Sequence, residues 1–235
     1  MDQFEGRLKQ LEKGSNRAFL VGSYFAQKEK VLAENDLEEL SSLAYTYGLQ
    51  SVGSILVHLH RIDPAFYVGK GKVQELALLS QENQASIVIF DEELSPQQQK
   101  NVEEVLKVPV IDRTELILGV FNQRAKTSEA KIQIELAECQ YQFPRLKRLW
   151  THLSRQKTGG GGSGGYLKGE GEKQIEIDRR ILKTKMHRLQ KELKEVVAHR
   201  EIQRKARIRN KTPSFAIVGY TNVGKSTLFH ALTEA

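Results

Sequence analysis

The sequence predicts an α/β fold in three parts: an N-terminal domain on a parallel sheet, a long antiparallel helical hairpin of coiled-coil type, and the first strand, loop and helix of a P-loop nucleotide-binding domain. Three observations predict it. Apolar runs alternate with helical stretches as far as Gly119, as they do where a parallel sheet is covered on both faces. Two seams with apolar residues at steps of four and three follow, and near the end stands a glycine loop between an apolar run and a helix start. The resulting boundaries are 1–123, 124–211 with a tip loop at 158–172, and 212–235.

In chain order, "AFLVGSYF" (Ala18 to Phe25), "VGSILVHL" (Val52 to Leu59), "SIVIF" (Ser86 to Phe90) and "VPVI" (Val108 to Ile111) predict strands. Between them Leu37 to Tyr47, Lys72 to Glu82 and Pro96 to Leu106 predict helices, the last with Ser95 as N-cap and Pro96 at its first position. "YVGKGKVQEL" (Tyr67 to Leu76) reads as a turn and helix start rather than a ligand loop, since two glycines without the full dinucleotide pattern are a weak signal. His58 and His60, two apart on one strand face, lack a third ligand nearby and read as a packed or surface pair. Asp91, Glu92 and Glu93 lie at a strand end, where α/β sites often form. Helix-start electrostatics explains acids there equally well, and no catalytic residue is assigned.

The first seam runs Ile132, Leu136, Cys139, Phe143, Leu146, Trp150, Leu153, with Pro144 expected to kink it. The second runs Leu182, Met186, Leu189, Leu193, Val196. Between them lie six glycines and a serine from Gly159 to Gly165, too poor in side chains to build a core.

Charge separates these parts. The chain carries +7, yet Lys173 to Lys211 holds fourteen basic residues against five acidic ones. That segment is therefore +9 and the remainder −2. A solvated helix face is the ordinary fate of such a run, but an excess this local suits a polyanion, nucleic acid above all. The single cysteine, Cys139, excludes an internal disulfide, and no apolar run approaches a membrane span. With no signal-type apolar core in "MDQFEGRLKQLEKGSNR", these features lead us to expect a cytoplasmic protein. We expect a monomer, with association through the strand at Phe215 to Val218 as the alternative.

The final stretch, "SFAIVGYTNVGKSTLFHALTEA", fits the P-loop pattern at Gly219, Tyr220, Thr221, Asn222, Val223, Gly224, Lys225, Ser226, with Thr227 next. The apolar run Phe215 to Val218 would be the strand, and Ser226 to Leu232 the helix. Gly219 and Gly224 permit backbone to curl round phosphate oxygens, Lys225 would reach the β and γ phosphates, and the Ser226 hydroxyl would hold Mg²⁺. Only eight residues follow Thr227. We therefore expect a piece of a longer protein, with little hydrolysis of its own.

Several of these stretches occur together elsewhere. "YVGKGKVQEL", "FDEELSPQQQKNVEEVL", "VPVIDRTELILGVFNQRAKTSEAKIQIELAECQYQFPRL", "LWTHLSRQ", "GEGEKQIEIDRR" and "IVGYTNVGKSTLFHALT" stand in the order and approximate spacing of the HflX GTPases, which this chain resembles over most of its length. The resemblance implies an α/β domain, a hairpin and a G domain of which only the start is present. It also implies GTP or GDP with Mg²⁺ in the full-length protein, and binding to the large ribosomal subunit and its rRNA with the hairpin tip towards the peptidyl-transferase region, in splitting or rescue of stalled ribosomes. The tip departs from the family, whose usual turn is a short Gly-Arg-Gly-Pro-Gly-Glu. Two other readings stay open: a stand-alone RNA- or ribosome-binding module, and an unrelated P-loop ATPase or kinase.

Overall fold

A computed structural model describes residues 16–156, 168–211, 213, 215–219 and 224–233, giving the backbone alone for 147–156 and 168–175. The chain divides into two compact units, 1–191 and 192–235.

The first unit opens with β1 (Arg17–Tyr24), a single 3-10 turn, α1 (Lys30–Tyr47) and β2 (Gln50–His58). Then come α2 (Lys70–Glu82), β3 (Ile87–Phe90), α3 (Pro96–Leu106), β4 (Val110–Asp112) and α4 (Arg113–Arg124). All strand pairs are parallel, in the order β2-β1-β3-β4. Successive strand residues point to opposite faces, and in a sheet covered on both sides each must be apolar. Phe19, Val21, Val88, Phe90 and Val110 accordingly pack with Val73 and Leu76 of α2 and Val102 and Leu106 of α3. Ala18, Leu20, Ile87, Ile89 and Ile111 pack on the other face with Leu40 and Ala44 of α1 and Leu116 of α4. Gly53 lies opposite Phe19, beside an irregularity in the β1–β2 register, and a Cβ there would come within 2.7 Å of the Phe19 ring.

The strands match the expected runs to within two residues at each end. Helix α1 starts seven residues before its expected start, because Lys30 to Asp36 offers helix formers with no breaker. Helix α4 is absent from the periodicity reading. Its signal is the N-cap pattern Asp112-x-x-Glu115, and the Asp112 carboxylate does accept the Glu115 amide at 3.0 Å. Ser95 caps α3 as expected, in a reciprocal box with Gln98, and Pro96 takes the first turn.

"YVGKGKVQEL" forms a turn and a helix start. Tyr67 sits at φ +66, and Gly69 at φ +86 is the N-cap of α2. No partner atom crowds Gly69, so its conformation rather than space requires glycine. Gly69→Ala is expected to lower stability by about 1–3 kcal/mol, read by urea unfolding.

Helices α5 (Ser128–Gln156) and α6 (Lys168–Arg209) follow. Helix α5 continues through Pro144. Cys139, Leu182 and Leu189 form its buried seam with α6, joined by Ile132, Leu136, Phe143, Leu146 and Met186. Arg179 lies over the Phe143 ring and Lys185 pairs with Glu135, so the two helices run antiparallel. Trp150 and Leu153 lie outside the described side chains, and the glycine run lies outside the described residues. Helix α6 begins at Lys168, inside the stretch predicted as loop, because Glu170, Glu172 and Lys173 carry the helix through Gly169 and Gly171.

The second unit holds the rest of α6, residues 215–219, which form no regular element, and α7 (Lys225–Thr233). Phe215 to Val218, predicted as a strand, has no pairing partner among the described residues, and Phe215 and Val218 are 93% and 89% exposed. A strand exists only through its neighbours' hydrogen bonds.

Candidate functional site

Three places could carry function: the phosphate-loop segment, the cationic face of the hairpin, and the C-terminal edge of the sheet. In the first, Gly219, Gly224, Lys225, Ser226 and Thr227 are described, whereas Tyr220 to Val223 lie outside the described residues. Gly224 has φ +86 and nothing within 4 Å of where a Cβ would stand. It delivers the chain directly into α7, whose first turn contains Lys225, Ser226 and Thr227. Lys225 turns back, its ammonium donating to the Gly219 carbonyl at 2.9 Å. The lysine therefore spans the loop from its last residue to its first. The start of a helix, the open ground at Gly224 and the returning cation are features that suit a phosphate group.

On the hairpin, Arg180, Lys183, His187 and Lys191 recur at three- and four-residue steps along α6, all exposed. A groove of about 480 Å³ opens between α5 and α6, lined by Glu135, Arg180, Ile181, Thr184, Lys185 and Arg188. Lys185 and Glu135 of this lining pair at 2.5 Å. Cys139 is buried in the seam, and burial pushes its thiol up from its ordinary range, which keeps it protonated and inert.

At the sheet edge two of the "FDEEL" acids, Asp91 and Glu93, face arginines. Arg113 donates to Asp91 at 3.1 Å and to Glu39 at 2.7 Å. Ser23 and Tyr67 hydroxyls lie 3.1 Å apart, and burial pushes the Tyr67 phenol up to about 12. His58 stacks on Tyr24 and meets His60 edge-on. Partial burial raises the pKa of Asp91, an effect the Arg113 charge opposes; partial burial and then the Asp91 charge raise that of Glu92. A carboxyl raised on folding binds protons more tightly in the folded chain, so its ionised form subtracts from stability above the ordinary carboxylate range. Glu92→Gln should therefore stabilise the chain at neutral pH, by less than about 1 kcal/mol for so exposed a group. It should also flatten the fall in stability as pH rises just above that range, both read by unfolding across a pH series.

The sequence reading missed a buried polar cluster beneath this edge. Gln99, Asp112, Glu115 and Arg145 are each at most 7% exposed, and Tyr141 joins them. Their signal is Tyr141 and Arg145, one helical turn apart on α5 and off its apolar seam.

Residues 34–122 match the family described as GTP-binding GTPase N-terminal, 124–207 its GTP-binding GTPase middle region, and 214–235 the 50S ribosome-binding GTPase family. "GTPase HflX" of Chlamydia pneumoniae is 45% identical over 97% of this chain and 48% of its own length. The Escherichia coli K12 protein of the same name is 43% identical over 93% of this chain and 50% of its own. The chain belongs to the HflX family. This HflX-family chain spans about half the length of the curated relatives it matches. A GTP-binding protein from Sulfolobus solfataricus, solved with GDP, aligns at a TM-score of 0.51 and 25% identity over 93% of this chain and 53% of that one. A second solved structure, a GDP complex of SsGBP, aligns at 0.55 and 22%, and shows the fold alone. Among the described residues of the HflX-family chain, no helix is long and apolar enough to cross a membrane.

Proposed function

We propose that this chain supplies the RNA-binding arm and phosphate loop of a cytoplasmic GTP-binding factor that acts on the large ribosomal subunit, in splitting or rescue of stalled ribosomes. Its parts divide at 123/124 and 211/212. Gly219 to Thr227 form the nucleotide site: loop amides meet phosphate oxygens, Lys225 neutralises the β and γ phosphates, and the Ser226 hydroxyl takes Mg²⁺. The nucleotide supplies the switch; the arm supplies the address. The observation that carries this reading is the loop itself, in which Gly224 starts α7 and Lys225 reaches back to Gly219.

The test is co-sedimentation of the 235-residue chain with large ribosomal subunits at two salt concentrations, beside a variant lacking Gly159 to Gly165. The reading expects binding without nucleotide that weakens steeply with salt, by about 0.7 to 0.9 in log–log slope per phosphate neutralised. The deletion should weaken it further. A flat salt response, or no binding at either concentration, would return α6 to a solvated helix face.

A further inference from the structure

Arg145 is 7% exposed and carries a full charge at the junction of the arm with the α/β domain. Its Nη2 donates to Gln99 Oε1 at 2.6 Å and its Nη1 to Asp112 Oδ2 at 3.3 Å, with Glu93 Oε1 at 3.8 Å. The guanidinium lies 4.3 Å from the Tyr141 ring centroid, and the Tyr141 hydroxyl donates to the same Asp112 oxygen at 2.6 Å. These partners come from α3, from the end of β4 and from the loop after β3. Three separate segments of the domain thus converge on one side chain of α5. Gln99 is itself fixed, donating to the Val110 carbonyl at 2.7 Å and to Glu115 at 3.0 Å.

Stability alone does not account for this cluster. Apolar residues of similar volume commonly match or exceed a buried ion pair in stabilisation, because two charges must be stripped of water. What the pair adds is direction. Ala137 and Tyr141 seat α5 on the domain core through apolar contact, which tolerates sliding and rotation. A planar fork whose two nitrogens bond separate segments of the domain does not. The position is telling as well: Pro144, immediately before Arg145, has no amide to donate to the Gln140 carbonyl, so this turn of α5 is held least by its own ladder.

We propose that Arg145 is a positioning residue whose buried fork sets the direction in which α5 leaves the α/β domain, at the soft turn made by Pro144, and so aims the arm. The aim bears on RNA only through the function proposed above, but the latch itself does not depend on that reading.

The test is a distance measurement between nitroxide labels on the 235-residue chain, at Glu82→Cys on α2 and Lys183→Cys on α6, in a Cys139→Ala background. The parent chain should give one narrow distance distribution. Arg145→Met, which keeps length and removes the fork, should about double its width. Arg145→Lys, which keeps charge without the fork, should fall between. An unchanged width in Arg145→Met, with far-UV dichroism and cooperative unfolding retained, overturns the proposal. If Arg145→Met does not fold, Arg145→Lys decides: parental width overturns the latch and a broadened one supports it. Sedimentation of the same variants with large subunits separates the two readings, since a parent chain that fails to bind removes the RNA role while the distances still judge the latch.

Discussion

Replacing Asp112 by alanine lowers the unfolding free energy of the α/β domain by about 3–5 kcal/mol, the range for breaking a buried ion pair and leaving its partner uncompensated. The carboxylate is wholly buried and has three partners. Oδ1 accepts the Glu115 amide and caps α4, while Oδ2 accepts the Tyr141 hydroxyl and faces the Arg145 guanidinium. Tyr141 cannot replace the lost anion. Burial, reinforced by the negative charges of Glu115 and Asp112, pushes its phenol well up, so it remains a donor. Asp112→Asn separates the contributions, because an amide oxygen still caps the helix. It should lose only about 1–3 kcal/mol, the effect of charge on a buried hydrogen bond. Urea unfolding of both variants checks the order; equal losses would assign the whole effect to the charge, since the asparagine keeps the cap.

Neutralising Arg180, Lys183 and Lys191 together should make the salt dependence of large-subunit binding shallower by about 2 in log–log slope, at about 0.7 per phosphate contact removed. The three lie along one exposed stripe of α6 and none supports the buried seam, so the variant should unfold as the parent does. Affinity should fall most at low salt, where counterion release contributes most, and the two proteins should converge as salt rises. Sedimentation at four or five salt concentrations gives the slope. A parallel displacement with unchanged slope would mean that these side chains contact something other than phosphate.

The parallel sheet was legible because a strand buried on both faces must be apolar throughout, and "SIVIF" can hardly be anything else. The Ser95 cap and the turn at Gly69 were legible because each is written in a few adjacent residues, and the described part of the two seams, Ile132 to Leu146 and Leu182 to Leu189, because its spacing is helical. Two features were not. The cluster around Arg145 joins residues 46 apart in sequence, Gln99 to Arg145, and periodicity carries no information about which helix face meets which strand end. Phe215 to Val218 reads as a strand because its composition is that of one, but pairing is a property of neighbours, and no described residue provides one. At the phosphate loop, the sequence motif and the turn at Gly224 agree, while Tyr220 to Val223 lie outside the described residues.

The seating of Ala137 and Tyr141 on the core of the α/β domain bears on the order of events during synthesis. The last strand of the sheet ends at Asp112, yet one face of the domain, covered mainly by α1 and α4, takes part of its apolar cover from α5. A chain emerging from the ribosome could therefore complete its four strands while that apolar cluster still lacked part of its cover. Domains tend to fold as units from the N-terminus during translation, and incompletely covered apolar surface is where nascent chains aggregate or recruit chaperones. The vulnerable interval would close once α5 has emerged past Arg145, when the domain gains both its remaining apolar cover and the cation that compensates Asp112.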